Sequence, residues 1–402
     1  MRILLVAEKY PPIVGGGETH VHQLAEGLVK LGHEVTVVTE AVQPSAEWSA
    51  YRSSKVRVRE VSGLMAACQR LECRDAVAQL HAELTASEAD VVHVFNYVPA
   101  LLTSWLRPMV KAKLAVSLFE TFVPGVRVFD MWDNYPLERM LQRGLVDSLR
   151  PDLHICGSQA YLRWAREAGF TEPAEVVEFG TDLRAFAPDP RRRARWRAER
   201  GLTDEFAFLV PARPVPRKRI EDAIAALAEL AAEYPAMRLV LTCPTARTNS
   251  AYLQRLRALA ERLGVADRVR WETGLSWQDM PALYAGCDAM VLPSSHEGWG
   301  IALTEAMTCR LPVITTDVEG HDEVVTDERT GLLYEAGNIA HLAAAMRRVM
   351  TTDVGEMVEQ AAREATRRFS IDAVVRGHER AYLAMLSDGS AGGADRVKGG
   401  AA

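Results

Sequence analysis

No run of apolar residues in this 402-residue chain approaches the roughly 20 needed to cross a bilayer. The opening stretch, residues 3–7, is apolar for only five positions before Glu8 and Lys9 interrupt it. That reads as a buried first strand and not as a secretory segment. An excess of cations is also missing: 47 Lys+Arg stand against 53 Asp+Glu, a net charge of −6. Bulk attraction to nucleic acid is therefore not the first explanation to try. The six cysteines (Cys68, Cys73, Cys156, Cys243, Cys287 and Cys309) include no C-x-x-C pair. A zinc site or disulfide framework is not expected, and reduced thiols in a cytoplasmic protein fit best. The ten histidines give no H-E-x-x-H, and His20 and His22, two apart on an expected helix, point to different faces. What remains is an ordinary globular composition, 48% apolar and 25% charged, with room for two or three domains.

Short β-branched runs alternate with longer helical patterns along the chain. Residues 3–7, 35–39, 91–95 and 114–118 read as buried strands, and residues 19–31 as a helix. In that helix Val21, Leu24, Ala25 and Leu28 form one apolar stripe, and Gly32 supplies the stop. A second cycle follows Gly180-Thr181-Asp182 and Pro188-Asp189-Pro190, with strands expected at 206–210, 238–241, 268–271, 289–292, 313–316 and 332–334. Helices are expected between them at 220–232, 250–263 and 280–285. Strand–helix alternation means parallel sheets built from βαβ units. Two such cycles imply two doubly wound α/β domains facing a cleft, with ligands beyond the carboxyl ends of the strands. The boundaries read as 1–180 and 181–370, with a helical stretch at 371–386 and a Gly/Ala/Ser-rich disordered tail at 387–402. The arginine run 191–200 reads as a solvated helix before the second domain's first strand.

Three places past strand ends carry chemistry. The first is Gly15-Gly16-Gly17 before the helix starting near Thr19, where glycine lets backbone N–H groups approach an anion at a helix N-terminus. A dinucleotide fingerprint fails there, since His20 occupies the third glycine position and the first glycine comes eight positions after the strand end. The second is the loop 211–219, where Arg213, Arg217, Lys218 and Arg219 gather at a strand end. A diphosphate is the natural partner, with arginine as a bidentate clamp and lysine as a point charge. The third is Ser294-Ser295-His296-Glu297-Gly298-Trp299-Gly300-Ile301-Ala302-Leu303-Thr304-Glu305. Two glycines expose N–H groups at a helix start, between two carboxylates able to accept polyol hydroxyls. Anion seat plus flanking acids describes a sugar nucleotide. A paired-carboxylate hydrolase is the enzymatic rival, but it gives no reason for the basic and glycine-rich seats.

The E-x₇-E segment at Glu297 and Glu305 resembles the signature of family 4 retaining glycosyltransferases of the GT-B fold. The glycine loop, Gly180-Thr181-Asp182 and the R-x₄-K at Arg213 and Lys218 stand where that family has them, and the likeness runs from Met1 to about Leu386. The resemblance implies two Rossmann-like domains facing a deep interdomain cleft, with the helix at 371–386 crossing back to the first domain. It implies that Arg213 and Lys218 neutralise the donor diphosphate, that Glu305 holds the ribose hydroxyls, and that Glu297 contacts the transferred sugar. Backbone at Gly298, Trp299 and Gly300 would surround that sugar, Ile301 and Ala302 N–H groups would meet the phosphate, and Gly16 and Gly17 would approach the donor from the first domain. No metal is implied, because cationic side chains and a helix dipole take the place of a divalent ion.

The chain departs from the family pattern at four places. Phe119 stands where a histidine is common, so that sugar contact is vacant or passes to Glu120 or His93, and Glu18 is a further candidate for acceptor contact. Arg219 replaces a glycine, Thr242-Cys243-Pro244-Thr245 replaces G-x-G-P, and Trp299 replaces the commoner phenylalanine. The expected activity is transfer of a hexose from a UDP- or GDP-linked donor to a small polar acceptor or glycan, with no further cofactor. Residues 1–178 carry 18 Lys+Arg against 22 Asp+Glu, which does not indicate membrane association. A lipid-linked or polysaccharide acceptor, a nucleotide-sugar epimerase, a phosphorylase, and a sugar-nucleotide binder without turnover stay open as alternatives.

Overall fold

The computed structural model describes residues 1–11, 16–41, 55–64, 74–119, 144–243 and 250–391. They fall into two compact units, one drawn from Met1–Arg127, Asn134–Phe179 and Ile371–Ala402, the other from Gly180–Ser370.

In the first unit the chain runs β1 (Arg2–Ala7), α1 (Gly16–Lys30), β2 (Glu34–Glu40), β3 (Arg57–Val61), α2 (Arg74–Ala86), β4 (Val91–Phe95) and α3 (Tyr97–Leu106). It continues with β5 (Lys113–Ser117), β6 (Leu153–Cys156), α4 (Gln159–Ala168) and β7 (Ala174–Val176). The strands form one sheet in the order β3-β2-β1-β4-β5-β6-β7, every neighbouring pair parallel. A parallel sheet is covered on both faces, which is why β1 is apolar after Arg2 and why β4 and β6 are buried at every position, their histidines included.

The second unit holds α5 (Pro190–Glu199), β8 (Phe206–Val210), α6 (Ile220–Leu230), β9 (Met237–Cys243), α7 (Ser250–Arg262), β10 (Val269–Thr273) and α8 (Met280–Gly286). After these come β11 (Ala289–Leu292), α9 (Ile301–Thr308), β12 (Val313–Thr316), β13 (Leu332–Tyr334), α10 (Ile339–Thr351) and α11 (Gly355–Arg368). Its sheet, also parallel, has the order β10-β9-β8-β11-β12-β13. The arginine run does form a helix, capped by Asp189, but it is not merely a solvated face. Trp196 is buried against Gly286, and Arg197 is only 8% exposed, bonding the Gly286, Thr203 and Glu205 carbonyls and Asp288. The cations are spent on closing the end of α8, a partner nearly 90 positions away that local pattern could not supply.

The last helix, α12 (Ile371–Ala391), belongs to the first unit and packs on α1. It runs five residues past the expected end, since no proline stops it and each added residue contributes a hydrogen bond. Residues 392–402 lie outside the described residues. Val374, Val375, Tyr382 and Met385 share one core with Val21, Leu24 and Leu28 of α1. The helices meet closely because α1 has Gly27 at the contact: a Cβ there would lie 2.3 Å from Val375 Cγ2. Gly27→Ala is therefore expected to lower the melting temperature. The overpacking cost of about 1–3 kcal/mol exceeds the ~1 kcal/mol that alanine adds to a helix. Combining it with Val375→Ala should recover stability relative to the sum of the single changes, a coupling that a double-mutant cycle measures directly. Purely additive losses would mean that the two helices do not touch there.

Candidate active site

Both sheets reverse direction once. In the first the chain builds outward from β1 through β2 and β3, then returns to β4 on the other side. In the second it builds through β9 and β10, then returns to β11 beside β8. A crevice opens beyond the strand ends at such a switch point, because the connections on either side leave in opposite directions. Most of the residues singled out from sequence lie at these two places; His93, which is fully buried, and Glu120, which lies outside the described residues, are the exceptions.

In the second unit the loop after β8 ends in a single 3₁₀ turn, Pro216–Lys218, and the loop after β11 carries Glu297. Ser295 N–H donates to the Arg217 carbonyl at 2.8 Å, tying the two loops together. Lys218 forms an ion pair with Glu297, and Arg217 Nη1 approaches the same carboxylate at 3.4 Å. Burial works against ionising Glu297, but Lys218 and Arg217 outweigh it and hold the carboxyl well below the usual range. Burial likewise lowers the Lys218 ammonium, with Glu297 opposing and with Arg217 and Arg213 adding to the fall. Sequence reasoning paired Arg213 with Lys218. In the structure Arg217 shares Glu297 with that lysine, while half-buried Arg213 acts on it electrostatically. Arg219, at the usual glycine position, takes the left-handed conformation (φ 44°) and makes a bidentate pair with buried Asp222 at 2.7 and 2.9 Å.

Gly300 precedes α9 with φ 87°, so the first N–H groups of that helix, at Ile301 and Ala302, face the loop without an intrahelical partner. The Gly298 backbone borders the same loop, and the Trp299 ring turns inward, 2% exposed and edge-on to Phe369. One helical turn on, Glu305 accepts a hydrogen bond from Tyr284 Oη at 2.7 Å. Burial pushes the Glu305 carboxyl up to about 7, against that hydrogen bond. A carboxylate accepts two diol hydroxyls and a carboxylic acid does not, so ligand binding here should favour the ionised form. Going from pH 8 to pH 6, wild-type affinity for a nucleoside diphosphate should lose about tenfold through this group. Glu305→Gln lacks the titration, so the ratio of the two dissociation constants should shrink toward pH 6. A ratio that stays constant with pH would show that Glu305 does not meet the ligand.

Two residues not singled out from sequence hold this loop in place. Gly320 has φ 85°, and a Cβ on it would lie 2.5 Å from both the Glu297 carbonyl oxygen and the Gly298 carbonyl carbon. His321, fully buried, bonds Thr315 and Thr316 through Nδ1 and stands against Gly300. The signal available in the sequence was weak, a lone glycine followed by histidine. Its meaning lay in a contact with a loop more than 20 residues earlier.

In the first unit a small crevice opens at the β1/β4 switch point. Glu8, Lys9, Glu18 and Asn96 supply its polar lining, and Phe95 and Phe119 an apolar side. Lys9 Nζ pairs with Glu8 at 2.8 Å, and Asn96 sits in the left-handed region (φ 66°), a strained backbone of the kind held at functional positions. The helix begins earlier than expected, at Gly16, so Gly16 and Gly17 form the first turn of α1 instead of a loop before it. A Cβ on Gly17 would lie 2.9 Å from the Phe119 ring. Of the acceptor candidates, Glu18 lines the crevice and Glu120 lies outside the described residues. His93 must be corrected. It is fully buried, with Nδ1 2.6 Å from Tyr382 Oη and Nε2 2.9 Å from Ser117 Oγ, so both ring nitrogens are spent in the core. An inward-facing position on a central strand cannot reach a ligand. Among the described residues no three His, Cys, Asp or Glu side chains stand close enough to hold a metal ion, and no helix is long and apolar enough to cross a membrane.

Comparison with known proteins agrees with this geometry. Residues 14–185 match the profile of Glycosyltransferase Family 4, and residues 192–368 that of Glycosyl transferases group 1. A GDP-mannose-dependent alpha-(1-6)-phosphatidylinositol monomannoside mannosyltransferase of Mycolicibacterium smegmatis is 27% identical over 372 residues, 90% of this chain and 91% of that one. A D-inositol 3-phosphate glycosyltransferase of Acidothermus cellulolyticus is 27% identical over 422 residues, 96% of this chain and 91% of the relative. Among solved structures, Anabaena Alr3699/HepE in complex with UDP and glucose superposes with a TM-score of 0.81 at 21% identity, covering 95% of this chain and 99% of that one. Two parallel Rossmann-like sheets, a C-terminal helix on α1 and both family profiles lead to one assignment: this chain belongs to the family 4, group 1 retaining glycosyltransferases of the GT-B fold, enzymes that transfer a sugar from a nucleotide donor.

Proposed function

We propose that this enzyme moves a hexose from a UDP- or GDP-linked donor to a hydroxyl of a small polar acceptor, without a metal ion. The observation that carries the donor side is the ion pair of Lys218 with Glu297 at the β8/β11 switch point. Lys218 and Arg217 converge on this carboxylate, and a diphosphate competes for such cations with more charge and more acceptor oxygens. On this reading the donor takes over Lys218 and Arg213, and Glu297 is released toward the sugar, where positive charge grows as the glycosidic bond opens. Gly298, Trp299 and Gly300 present backbone to that sugar, while Ile301 and Ala302 N–H groups meet the phosphate. Fixed cations and helix N–H groups stabilise the leaving diphosphate with little reorganisation. The leaving phosphate takes the acceptor proton on the face it departs from, and configuration is kept.

The acceptor is assigned to the crevice of the first unit, where Glu8, Lys9, Glu18 and Asn96 provide acceptors and donors for hydroxyls beside an apolar ring face at Phe119. The mannosyltransferase relative acts, by its name, on a phosphatidylinositol monomannoside, so a lipid-linked acceptor is the second reading. The test is calorimetric titration with UDP-, GDP- and ADP-sugars in excess chelator, followed by product analysis with free cyclitols, free sugars and glycolipids. Binding and transfer that persist in chelator are expected. Failure of every nucleotide to bind, or strict dependence on a divalent ion, would overturn the reading.

A further inference from the structure

The Nδ1 edge of His321 faces only oxygens: Thr315 Oγ1 at 2.8 Å, Thr316 Oγ1 at 3.1 Å and the Thr316 carbonyl at 3.3 Å. A carbonyl can only accept. Each hydroxyl already has a carbonyl to donate to, Leu292 at 2.9 Å for Thr315 and Ser294 at 2.6 Å for Thr316. With one hydrogen per hydroxyl, the set is satisfied when Nδ1 carries the proton. The neutral ring is then the Nδ1–H tautomer, and Nε2 is a bare lone pair. That Nε2 is buried with no hydrogen-bond partner among the described residues, 3.3 Å from where a Cβ on Gly300 would be.

An unpaired buried acceptor is costly, and its persistence needs a reason. The charged groups that act most strongly on His321 are Glu297 and Lys218, the pair of the donor seat proposed above, with His296 beside them. Burial, Lys218 and His296 keep the ring neutral, down to about 4, while Glu297 and the Thr316 carbonyl pull the other way. We infer that Nε2 of His321 takes up a proton from solvent when a nucleoside diphosphate occupies the seat at Lys218, and that the imidazolium adds positive charge behind Gly300 as the diphosphate departs. The proton returns to solvent when the nucleotide leaves. This rests on the donor-site reading above.

Two physical arguments support it. A diphosphate brings two or more negative charges to a buried cluster, and one opposite charge at close range already moves a pKa by about 1–3 units. Protonation also breaks nothing, since Nδ1 keeps its partners and Nε2 has none to lose. His321 is fully buried and touches neither substrate, so it is a positioning residue acting through the field on the loop.

The test is calorimetry of UDP and GDP binding in buffers of different ionisation enthalpy, which counts protons taken up. At pH 6 wild type should take up about half a proton more than His321→Asn, whose amide can still donate to the threonine oxygens, and at pH 8 the difference should vanish. Opposite proton release at Glu305 cancels in this comparison. The kcat of His321→Asn should fall about tenfold at pH 6 with donor KM little changed, and the deficit should narrow at pH 8. Binding with equal proton counts in the two proteins overturns the inference alone. Absence of binding by either nucleotide overturns the donor-site reading and the inference with it. If His321→Asn does not fold, Glu305→Gln, which lacks the opposing release, must still take up about half a proton at pH 6 on binding a UDP- or GDP-sugar, whose diphosphate does not titrate there, and a count of zero overturns the inference.

Discussion

Replacement of Lys218 by alanine is expected to lower kcat by about ten- to a thousandfold, the span for losing one group that stabilises a leaving charge. It should also lower stability, because among the described residues Glu297 keeps Arg217, at 3.4 Å, as its ion-pair partner. Breaking a buried pair from one side costs up to about 3–5 kcal/mol. The two effects can be separated. Lys218→Ala combined with Glu297→Ala removes both charges, so much of the lost stability should return while the rate does not. Thermal unfolding and donor-saturation kinetics on the single and double variants give the answer. An unchanged rate in Lys218→Ala would remove this lysine from catalysis, and a rate restored in the double variant would make its role purely structural.

Gly320→Ala should disable the loop at 294–300 from outside it. The new Cβ would meet backbone at 2.5 Å, the Glu297 carbonyl oxygen and the Gly298 carbonyl carbon, and neither can rotate aside as a side chain could. A displacement of about 1 Å at a catalytic loop costs on the order of a hundredfold in rate. Positive φ adds strain of roughly 1–2 kcal/mol for any residue with a Cβ. Gly264 provides the control, with φ 71° and nothing within 4 Å of its Cβ position. Gly264→Ala should lower the melting temperature through strain alone and leave kcat/KM intact, whereas Gly320→Ala should lose both. Equal activity in the two variants would show that the segment before His321 does not support the loop.

Much of the fold was legible because its signals are local. Unbroken apolar runs such as residues 3–7 and 206–210 gave the buried parallel strands, and 3.6-residue periodicity gave the helices at 19–31 and 220–232 within a few residues. Errors in bounds came where two signals competed. Gly16 and Gly17 read as loop because glycine disfavours helix, yet the helix starts at Gly16, and a Cβ on Gly17 would lie 2.9 Å from the Phe119 ring. The site was legible in its charges and not in its pairings. Spacing alone put Glu297 in a loop and Glu305 on the helix after it, and the cation cluster at 213–219 beyond a strand end.

The sequence by itself determined the architecture and the chemistry available at each strand end, since periodicity, glycine placement and charge are properties of short stretches. Only the tertiary structure decided which groups meet. Lys218 and Glu297 are 79 positions apart, and their pairing depends on β8 and β11 lying side by side. His93 became a core residue because Tyr382, 289 positions later, returns on α12 to bond it. His321 came to stand behind the loop at Gly300 because β12 places it there. Hydrogen bonds and ion pairs act over a few ångströms of space, and distance along the chain does not fix distance in space until the sheets have formed.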